Sequence, residues 1–162
     1  MIWILFLSAL FNTNGMAQQE SEFDTYLQEL AQDFNIPQIA ADSLLQEDPV
    51  LLDTRDREEY LVSHLKDAIW VSYDDFDLSR IDSLAYNRKI VVYCSVGYRS
   101  SKIAERLVGA GYTNVYNLYG GIFKWANEGR PIVAENDTTN KIHTYNAHWG
   151  RFMTNPELIK VY

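Results

Sequence analysis

Apolar residues recur at helical spacing near the start of the chain and then gather in short runs that are typical of strands. From Glu22 to Phe34 the apolar positions repeat every three to four residues, which predicts an amphipathic helix that ends before Pro37. A second, short helix is expected over residues 39–46. Compact β-branched or apolar runs predict strands at residues 50–52, 69–71, 89–93 and 115–118.

Helices are expected between these strands. The core face of one of them carries Ile103, Ala104 and Leu107, and Trp125 with Phe123 and Ile122 is expected to pack a closing helix onto the sheet. The regular alternation of strand and helix predicts an α/β fold with a mainly parallel central sheet and helices on both faces, in which ligands bind at the carboxyl ends of the strands. The predicted helices cover residues 56–61, 74–82 and 100–108, and a short stretch that begins at Gly120 and Gly121.

The two ends of the chain differ from its middle. A nearly continuous apolar run over residues 2–11, followed by polar residues and then Ala17, is typical of a secretory signal peptide, although no basic residue precedes it. The run is too short to span a bilayer. Cleavage after Ala17 and an exported, periplasmic location are therefore expected, with an uncleaved anchor or a misassigned start as the alternatives. At the other end, the polar residues 135–140 suggest a linker into a tail whose apolar side chains would dock on the domain: Ile142, Tyr145, Trp149, Phe152, Leu158 and Val161.

These patterns divide the chain into four parts. We expect a signal peptide at 1–17, an N-terminal amphipathic helix at 18–36, the α/β domain at 37–134, and a docked C-terminal extension at 135–162. With 162 residues, 47% of them hydrophobic, the chain is long enough for one domain with a real core.

Charge narrows the classes of partner. The formal net charge of −8 disfavours nucleic acid and acidic membrane surfaces, so neither is expected as a partner after signal cleavage. The acidic run of Asp74, Asp75 and Asp77 is interpreted as a solvated face, although it would also suit a basic partner.

Cys94 is the only cysteine, which excludes an intramolecular disulfide and the chemistry of a dithiol oxidoreductase, since that chemistry needs a second, resolving cysteine. A single cysteine is often just a small buried hydrophobe. His143 and His148 have no cysteine at zinc-binding spacing, so no metal site is expected. No cofactor is expected either.

The residues around Cys94 favour a reactive thiol. In Cys94-Ser95-Val96-Gly97-Tyr98-Arg99-Ser100 a strand ends at the cysteine, a loop with one glycine follows, and a helix begins at once. Backbone N–H groups of such a loop and the positive end of the helix dipole both favour a thiolate. A thiolate that attacks a sulfane sulfur becomes a persulfide, and the same donors would hold its terminal sulfur.

This Cys-x-x-Gly-x-Arg-Ser loop resembles the active-site loop of the rhodanese family of sulfurtransferases. Three other segments agree in order: residues 51–55 with the family's Asp-x-Arg segment, residues 59–68 with its Glu-Tyr and His-containing segment, and residues 120–131 with its closing Gly-Gly and Trp segment. The resemblance covers about residues 37–133 and implies the rhodanese-like fold. Ser63 and Asp67 stand where the family commonly has glycines.

The resemblance implies roles for single residues. Cys94 would be the catalytic nucleophile. Arg99 would either bind an oxyanion of the donor or turn inward to pair with Asp53 and brace the loop. Asp53 and Arg55 would support the loop, while His64 would make structural hydrogen bonds and Ser100 would cap the following helix. The loop lining the sulfur would consist of Ser95, Val96, Gly97, Tyr98, Arg99 and Ser100.

The expected function is transfer of sulfane sulfur from thiosulfate or a related donor to cyanide or a thiol, through a Cys94 persulfide. Because Ser95, Val96 and Tyr98 are uncharged where thiosulfate-using relatives often have basic residues, thiosulfate is expected to be a poor donor. Related phosphatases have a longer loop between Cys and Arg than the four residues found here, which disfavours phosphatase activity. Two alternatives remain open at this point: a sulfur carrier that an unidentified partner protein persulfidates, and an inactive binding domain.

Overall fold

A parallel sheet forms the centre of the protein. The computed structural model describes residues 3–44, 46 and 48–162. Five strands lie in the order β1-β5-β4-β2-β3, and all their pairings are parallel. The expected α/β fold with a mainly parallel sheet is confirmed. The strands are β1 (Gln38–Ile39), β2 (Val50–Asp53), β3 (Ile69–Trp70), β4 (Ile90–Tyr93) and β5 (Val115–Leu118).

Six α-helices and one short 3-10 helix accompany the sheet in the described part of the chain. The α-helices are α1 (Trp3–Gln32), α2 (Ala41–Leu44), α3 (Arg57–Val62), α4 (Tyr98–Gly109), α5 (Gly121–Asn127) and α6 (Ala147–Gly150). The 3-10 helix covers Leu78–Ile81 and follows Asp77, whose carboxylate accepts a hydrogen bond from the Ser79 N–H.

The central strand β4 shows why the sheet is covered on both faces. Its side chains are all buried and point alternately to opposite faces, as the two-residue period of a strand requires. Ile90 and Val92 join the layer that contains α4, whereas Val91 and Tyr93 join the layer that contains α5. The predicted core face of α4 is confirmed, since Ile103, Ala104 and Leu107 are all buried, and Ile122, Phe123 and Trp125 of α5 are buried as well.

Helix α1 contributes to both layers. Phe23 and Leu27 pack in the α5 layer, while Leu30 packs in the α4 layer. Phe34, which lies just beyond the helix, also packs in the α4 layer. The prediction of a helix over residues 22–34 is right in kind, but α1 begins at Trp3 and runs through the predicted cleavage point. Residues 1 and 2, where the predicted signal peptide begins, lie outside the described residues. None of the helices in the described ranges has the length and apolarity needed to cross a membrane.

Three local predictions need correction. Residues 38 and 39 form β1, which pairs with β5, so the expected helix over residues 39–46 shrinks to α2. The expected helix over residues 74–82 shrinks to the 3-10 helix. The expected linker over residues 135–140 is an antiparallel hairpin of β6 (Ile132–Ala134) and β7 (Asp137–Thr139), which turns at Glu135 with a φ of +54°.

The C-terminal residues complete the α5 layer. Strands β8 (Lys141–His143) and β9 (Ile159–Val161) pair in parallel on either side of α6. Phe152 is buried, and its ring stacks on Phe23 of α1 with the ring centroids 5.0 Å apart. The Asn127 side chain donates to the Phe152 carbonyl at 2.7 Å. Helix α1 and the residues that follow α6 therefore meet on one face of the domain.

Candidate active site

Cys94 lies at the carboxyl end of β4, directly after Tyr93, and is only 1% exposed. Two donors reach its sulfur in the described part of the chain. The Gly97 N–H donates to Sγ at 3.1 Å, and the Ser100 hydroxyl lies 3.5 Å from Sγ. The ring of several N–H donors that the sequence suggested is therefore reduced, at the sulfur itself, to one N–H and one hydroxyl.

The loop closes tightly because Gly97 adopts a φ of +121°, a backbone conformation that favours glycine. Helix α4 begins immediately afterwards at Tyr98, so Gly97 is its N-terminal cap. The prediction that Ser100 caps this helix is wrong, since Ser100 lies inside the first turn. Its hydroxyl instead donates to the Gly97 carbonyl at 3.1 Å, which ties the helix to the loop.

The start of helix α5 holds the first residues of the loop by backbone hydrogen bonds. The N–H groups of Ile122 and Phe123, at the start of α5, donate to the carbonyls of Cys94 and Ser95 at 3.0 and 3.1 Å. Gly121 has a φ of +56°, and a Cβ added there would collide with the Cys94 carbonyl and lie 2.7 Å from the Ser95 carbonyl oxygen. Glycine is required here because no side chain fits between α5 and the loop.

Arg99 braces this loop through Glu59. Its guanidinium donates to both Glu59 oxygens, at 2.7 and 2.9 Å, and lies 3.4 Å from the Asp56 carboxylate. Glu59 also accepts a hydrogen bond from the Ser95 hydroxyl at 2.9 Å. The suggested pairing of Arg99 with Asp53 is therefore wrong.

This ion pair shifts the pKa values of both partners in the directions that favour charge. For Glu59 burial opposes ionisation, but the hydrogen bonds and charge of Arg99 outweigh burial and lower the carboxyl pKa. For Arg99 burial is again outweighed, here by Glu59 and by the nearby Cys94 sulfur, so its pKa is raised. Both groups are ionised at neutral pH, and the guanidinium is already engaged by a carboxylate.

Asp53 and Arg55 form a separate pair beneath the site. Both are fully buried, and the Arg55 Nη2 atom lies 2.7 Å from Asp53 Oδ2 and 2.6 Å from the Ser63 carbonyl. Asp53 ends β2 next to Tyr93, the residue before Cys94. The Nδ1 atom of His64 lies 3.0 Å from the Tyr60 carbonyl.

Several residues that sequence reasoning did not assign to the site also belong to it. Glu59 was visible as part of a motif, but its partner lies 40 positions away. Asn117 of β5 donates to the Gly97 carbonyl at 3.2 Å and to the Ser101 hydroxyl at 3.0 Å, and no local pattern indicates that role. Among the residues that the structure describes, no cluster of His, Cys, Asp and Glu suitable for a metal ion is present.

A pocket of about 340 Å³ opens above Cys94. Its floor is the loop, with Val96 and Ser95 buried and Tyr98 exposed at 47%. Its walls come from α1, from the segment after β3 and from the C-terminal residues. The lining residues are Tyr26, Asp56, Tyr73, Asp74, Cys94, Ser95, Val96, Tyr98, Arg99, Tyr145 and Trp149.

Comparison with known proteins gives a consistent result. The family model described as "Rhodanese-like domain" matches residues 37–128. A protein named sulfurtransferase from Allochromatium vinosum is 35% identical over 104 residues, which is 61% of this chain and 96% of that protein. A thiosulfate sulfurtransferase GlpE from Actinobacillus succinogenes is 34% identical over 59% of this chain and 86% of its own length.

Solved structures agree with these relatives. A rhodanese-related protein from Thermoplasma volcanium is 28% identical, with a TM-score of 0.54, and covers 61% of this chain and 99% of its own. The rhodanese-like domain of an Anabaena protein is 30% identical, with a TM-score of 0.56 over 60% of this chain and 79% of its own. Helix α1 and residues 129–162 lie outside the stretch that the family model matches.

Proposed function

The chain belongs to the family of rhodanese-like domains, and from that premise we propose that it is a sulfurtransferase in which Cys94 carries sulfane sulfur as a persulfide. The observation that carries this proposal is the position of Cys94 Sγ. It lies at the end of β4, within 3.1 Å of the Gly97 N–H and at the start of α4, on the floor of a pocket.

The first half-reaction is attack by the Cys94 thiolate on the sulfane sulfur of a donor. A bond forms between Cys94 Sγ and that sulfur while the donor's sulfur–sulfur bond breaks, and the electron pair leaves with the donor remnant, which is sulfite when thiosulfate is the donor. The persulfide carries its negative charge on the terminal sulfur. The Gly97 N–H and the amino end of α4, a helix of 12 residues, stabilise that charge.

The second half-reaction returns the enzyme to its first state. A thiol or cyanide attacks the terminal sulfur, the persulfide bond breaks, and its electron pair returns to Cys94 as thiolate. This cycle needs no second cysteine, which agrees with Cys94 being the only cysteine in the sequence. In the same proposal Arg99 is a positioning residue, because its guanidinium is held by Glu59 and thereby orients Ser95 and the loop.

A sulfur-carrier function is the second candidate, and the pocket supports it. The Arg99 guanidinium in this pocket is paired with carboxylates, and Asp56 and Asp74 also line the pocket. Thiosulfate, with two negative charges, therefore meets little unpaired positive charge there. Under this alternative a partner protein or polysulfide would load Cys94, and turnover with thiosulfate would be low.

Intact-mass analysis separates these functions. Reduced protein is treated with thiosulfate and, in parallel, with polysulfide, and then with cyanide, with Cys94→Ala as the control. A gain of one sulfur atom that requires Cys94 and is released as thiocyanate is the expected result. Loading by polysulfide alone would favour the carrier, and a lack of any adduct with either donor would overturn both functions in favour of an inactive binding domain.

Export is a further part of the proposal. The apolar run over residues 2–11 supports a signal peptide with cleavage after Ala17 and a periplasmic location. Expression of the full chain in a bacterium, followed by fractionation and N-terminal sequencing, is expected to give a periplasmic protein that begins at Gln18. A product that keeps residues 1–17 and stays with the cytosol would contradict it.

A further inference from the structure

Three aromatic residues in the walls of the Cys94 pocket lie outside the stretch that matches the family. Tyr26 belongs to α1, and Tyr145 and Trp149 belong to the C-terminal residues. Together with Tyr73 and Tyr98 they give the pocket five aromatic lining residues. A pocket of about 340 Å³ is large enough to enclose a small organic molecule in addition to a sulfur atom.

These walls are held in place by ring contacts. Tyr26 meets Trp149 edge to face, with the ring centroids 5.5 Å apart, and Trp149 lies 6.0 Å from Phe152. Phe152 in turn stacks on Phe23 of α1 at 5.0 Å. Because α1 and the C-terminal residues brace one another, the aromatic walls are a built part of the site.

The charges around the pocket are mainly negative. Among the described lining residues Arg99 is the cation, and it is paired with Glu59 and lies 3.4 Å from Asp56. Asp74 is exposed at the rim and adds a further carboxylate. Burial raises the pKa of Asp56, and repulsion from Glu59 and Asp74 acts in the same direction against the attraction of Arg99.

Two other cations, Lys102 and Arg106, line a second groove together with Glu105. Tyr73 and Asp74 line both this groove and the Cys94 pocket. Lys102 lies 3.6 Å from Glu105, and Arg106 donates to the Phe76 carbonyl. Because Asp74 lines both cavities, its charge counts once. The two cavities together, with the buried Glu59, hold four carboxylates and three cations, so one net negative charge remains.

We propose that the Cys94 pocket selects small organic thiols that carry an amino group, and disfavours acidic thiols, as acceptors of the persulfide sulfur. The inference rests on the proposed function. Asp74 and Asp56 attract the ammonium group, and the Trp149 ring in the wall offers it a cation–π contact, whereas the Tyr145 ring already has the Arg99 guanidinium 6.0 Å from its centroid. The thiolate attacks the terminal sulfur of the Cys94 persulfide, so that a new persulfide leaves on the acceptor and Cys94 returns as thiolate.

The first test reads the charge of the pocket without any sulfur transfer. Cys94 is the only thiol, so its modification by aminoethyl and sulfonatoethyl methanethiosulfonate reports the preference for a cationic over an anionic reagent. In each reaction the thiolate forms a disulfide with the reagent and a sulfinate leaves. Reaction of both reagents with free cysteine supplies the reference ratio, and the cationic preference of the protein is expected to exceed it about tenfold.

The second test uses acceptors on protein preloaded to the Cys94 persulfide, with loading checked by mass. Rates of sulfur removal are compared for 2-aminoethanethiol, 2-mercaptoethanol and mercaptoacetate, which are similar in size and differ in charge. In Asp74→Asn the ratio of the cationic to the anionic rate is expected to fall about fivefold, allowing for solvent screening. The matched control is Asp75→Asn, which makes the same charge change at an exposed neighbour that does not line the pocket.

The outcomes are distinct. Equal ratios in wild type, Asp74→Asn and Asp75→Asn would overturn the selection by charge, even where the persulfide forms and turns over normally. Failure to load any persulfide would overturn the proposed function, and with it the acceptor role, while the reagent preference would still report whether the pocket is selective. A fall in the ratio confined to Asp74→Asn supports the inference.

Discussion

Replacing Glu59 is expected to loosen the loop that carries Cys94. The carboxylate is 1% exposed and makes three short contacts: two with Arg99, at 2.7 and 2.9 Å, and one with the Ser95 hydroxyl at 2.9 Å. It also accepts a hydrogen bond from the Asp56 N–H at 3.0 Å, which closes the first turn of α3. In Glu59→Ala the Arg99 charge, only 19% exposed, loses its main partner.

The magnitude follows from these contacts. Breaking a buried ion pair by removal of one partner costs about 3–5 kcal/mol, and the lower end applies because Arg99 reaches solvent and keeps Asp56 at 3.4 Å. Glu59→Gln keeps an acceptor for Ser95 and is expected to cost about 2 kcal/mol. Since about 1 kcal/mol shifts Tm by roughly 2–4 °C at this size, Glu59→Ala should lower Tm by about 6–12 °C.

Urea unfolding followed by tryptophan fluorescence measures these differences in the free energy of unfolding. The exposed neighbour Glu58 supplies the control, and Glu58→Ala is expected to change stability by no more than about 0.5 kcal/mol. A double-mutant cycle with Arg99→Met should give a coupling energy above about 1 kcal/mol. If Glu59→Ala and Glu58→Ala have equal stability, or the coupling is zero, then the ion pair does not brace the loop.

Three further predictions concern stability and the site. Gly121→Ala should lower the free energy of unfolding by more than about 2 kcal/mol and reduce persulfide loading. Gly129→Ala is the control, because Gly129 has a φ of +72° but open space at its Cβ, and it should cost only about 1 kcal/mol. Equal effects of the two substitutions in urea unfolding would contradict the steric argument. Arg99 outweighs burial and lowers the Glu59 pKa below its ordinary value of 4.5, so the stability from this pair is fully present above that pH and is lost as pH falls through the lowered pKa. Glu59→Gln should therefore reduce the loss of stability at acidic pH, and an unchanged loss would contradict this prediction. Phe152→Ala should cost about 3–5 kcal/mol and speed alkylation of Cys94, since the stack on Phe23 braces the wall of the pocket; an unchanged alkylation rate would show that the wall stands without it.

The parts of the fold that the sequence predicts correctly are those with a strong local period. Strand β4 is a continuous β-branched run, and α4 carries its apolar residues on one face, so both elements follow from neighbours in sequence. Strand β1 is only two residues long and exists because Gln38 and Ile39 pair with Asn117 and Leu118 of β5. The helical spacing of residues 39–46 carries no information about a pairing with β5, which lies almost 80 residues later in the chain.

The same distinction separates what was predicted at the site from what was not. The loop around Cys94 is one local segment, and its glycine and its position before a helix are visible in the sequence. The partner of Arg99 is not visible, because Asp53 at the end of β2 and Glu59 in the first turn of α3 are both acidic, and only the packing of α3 decides between them. The hairpin of β6 and β7 was missed because its exposed strand Asp137–Thr139 is polar and resembles a linker.

The loop and the walls of the pocket have different roles in the proposals: the loop concerns the reactivity of Cys94, and the walls concern the choice of substrate. In the proposed mechanism the reactivity of Cys94 depends on Gly97, Ser100 and the amino end of α4, all of which lie inside the stretch shared with the family. In the further inference the aromatic walls from α1 and the C-terminal residues lie outside that stretch, whereas the carboxylates Asp56 and Asp74 lie inside it. Relatives with the same loop but different flanking segments are therefore expected to share the persulfide chemistry and to differ in the aromatic walls, while selection by charge depends on what stands at the positions of Asp56 and Asp74.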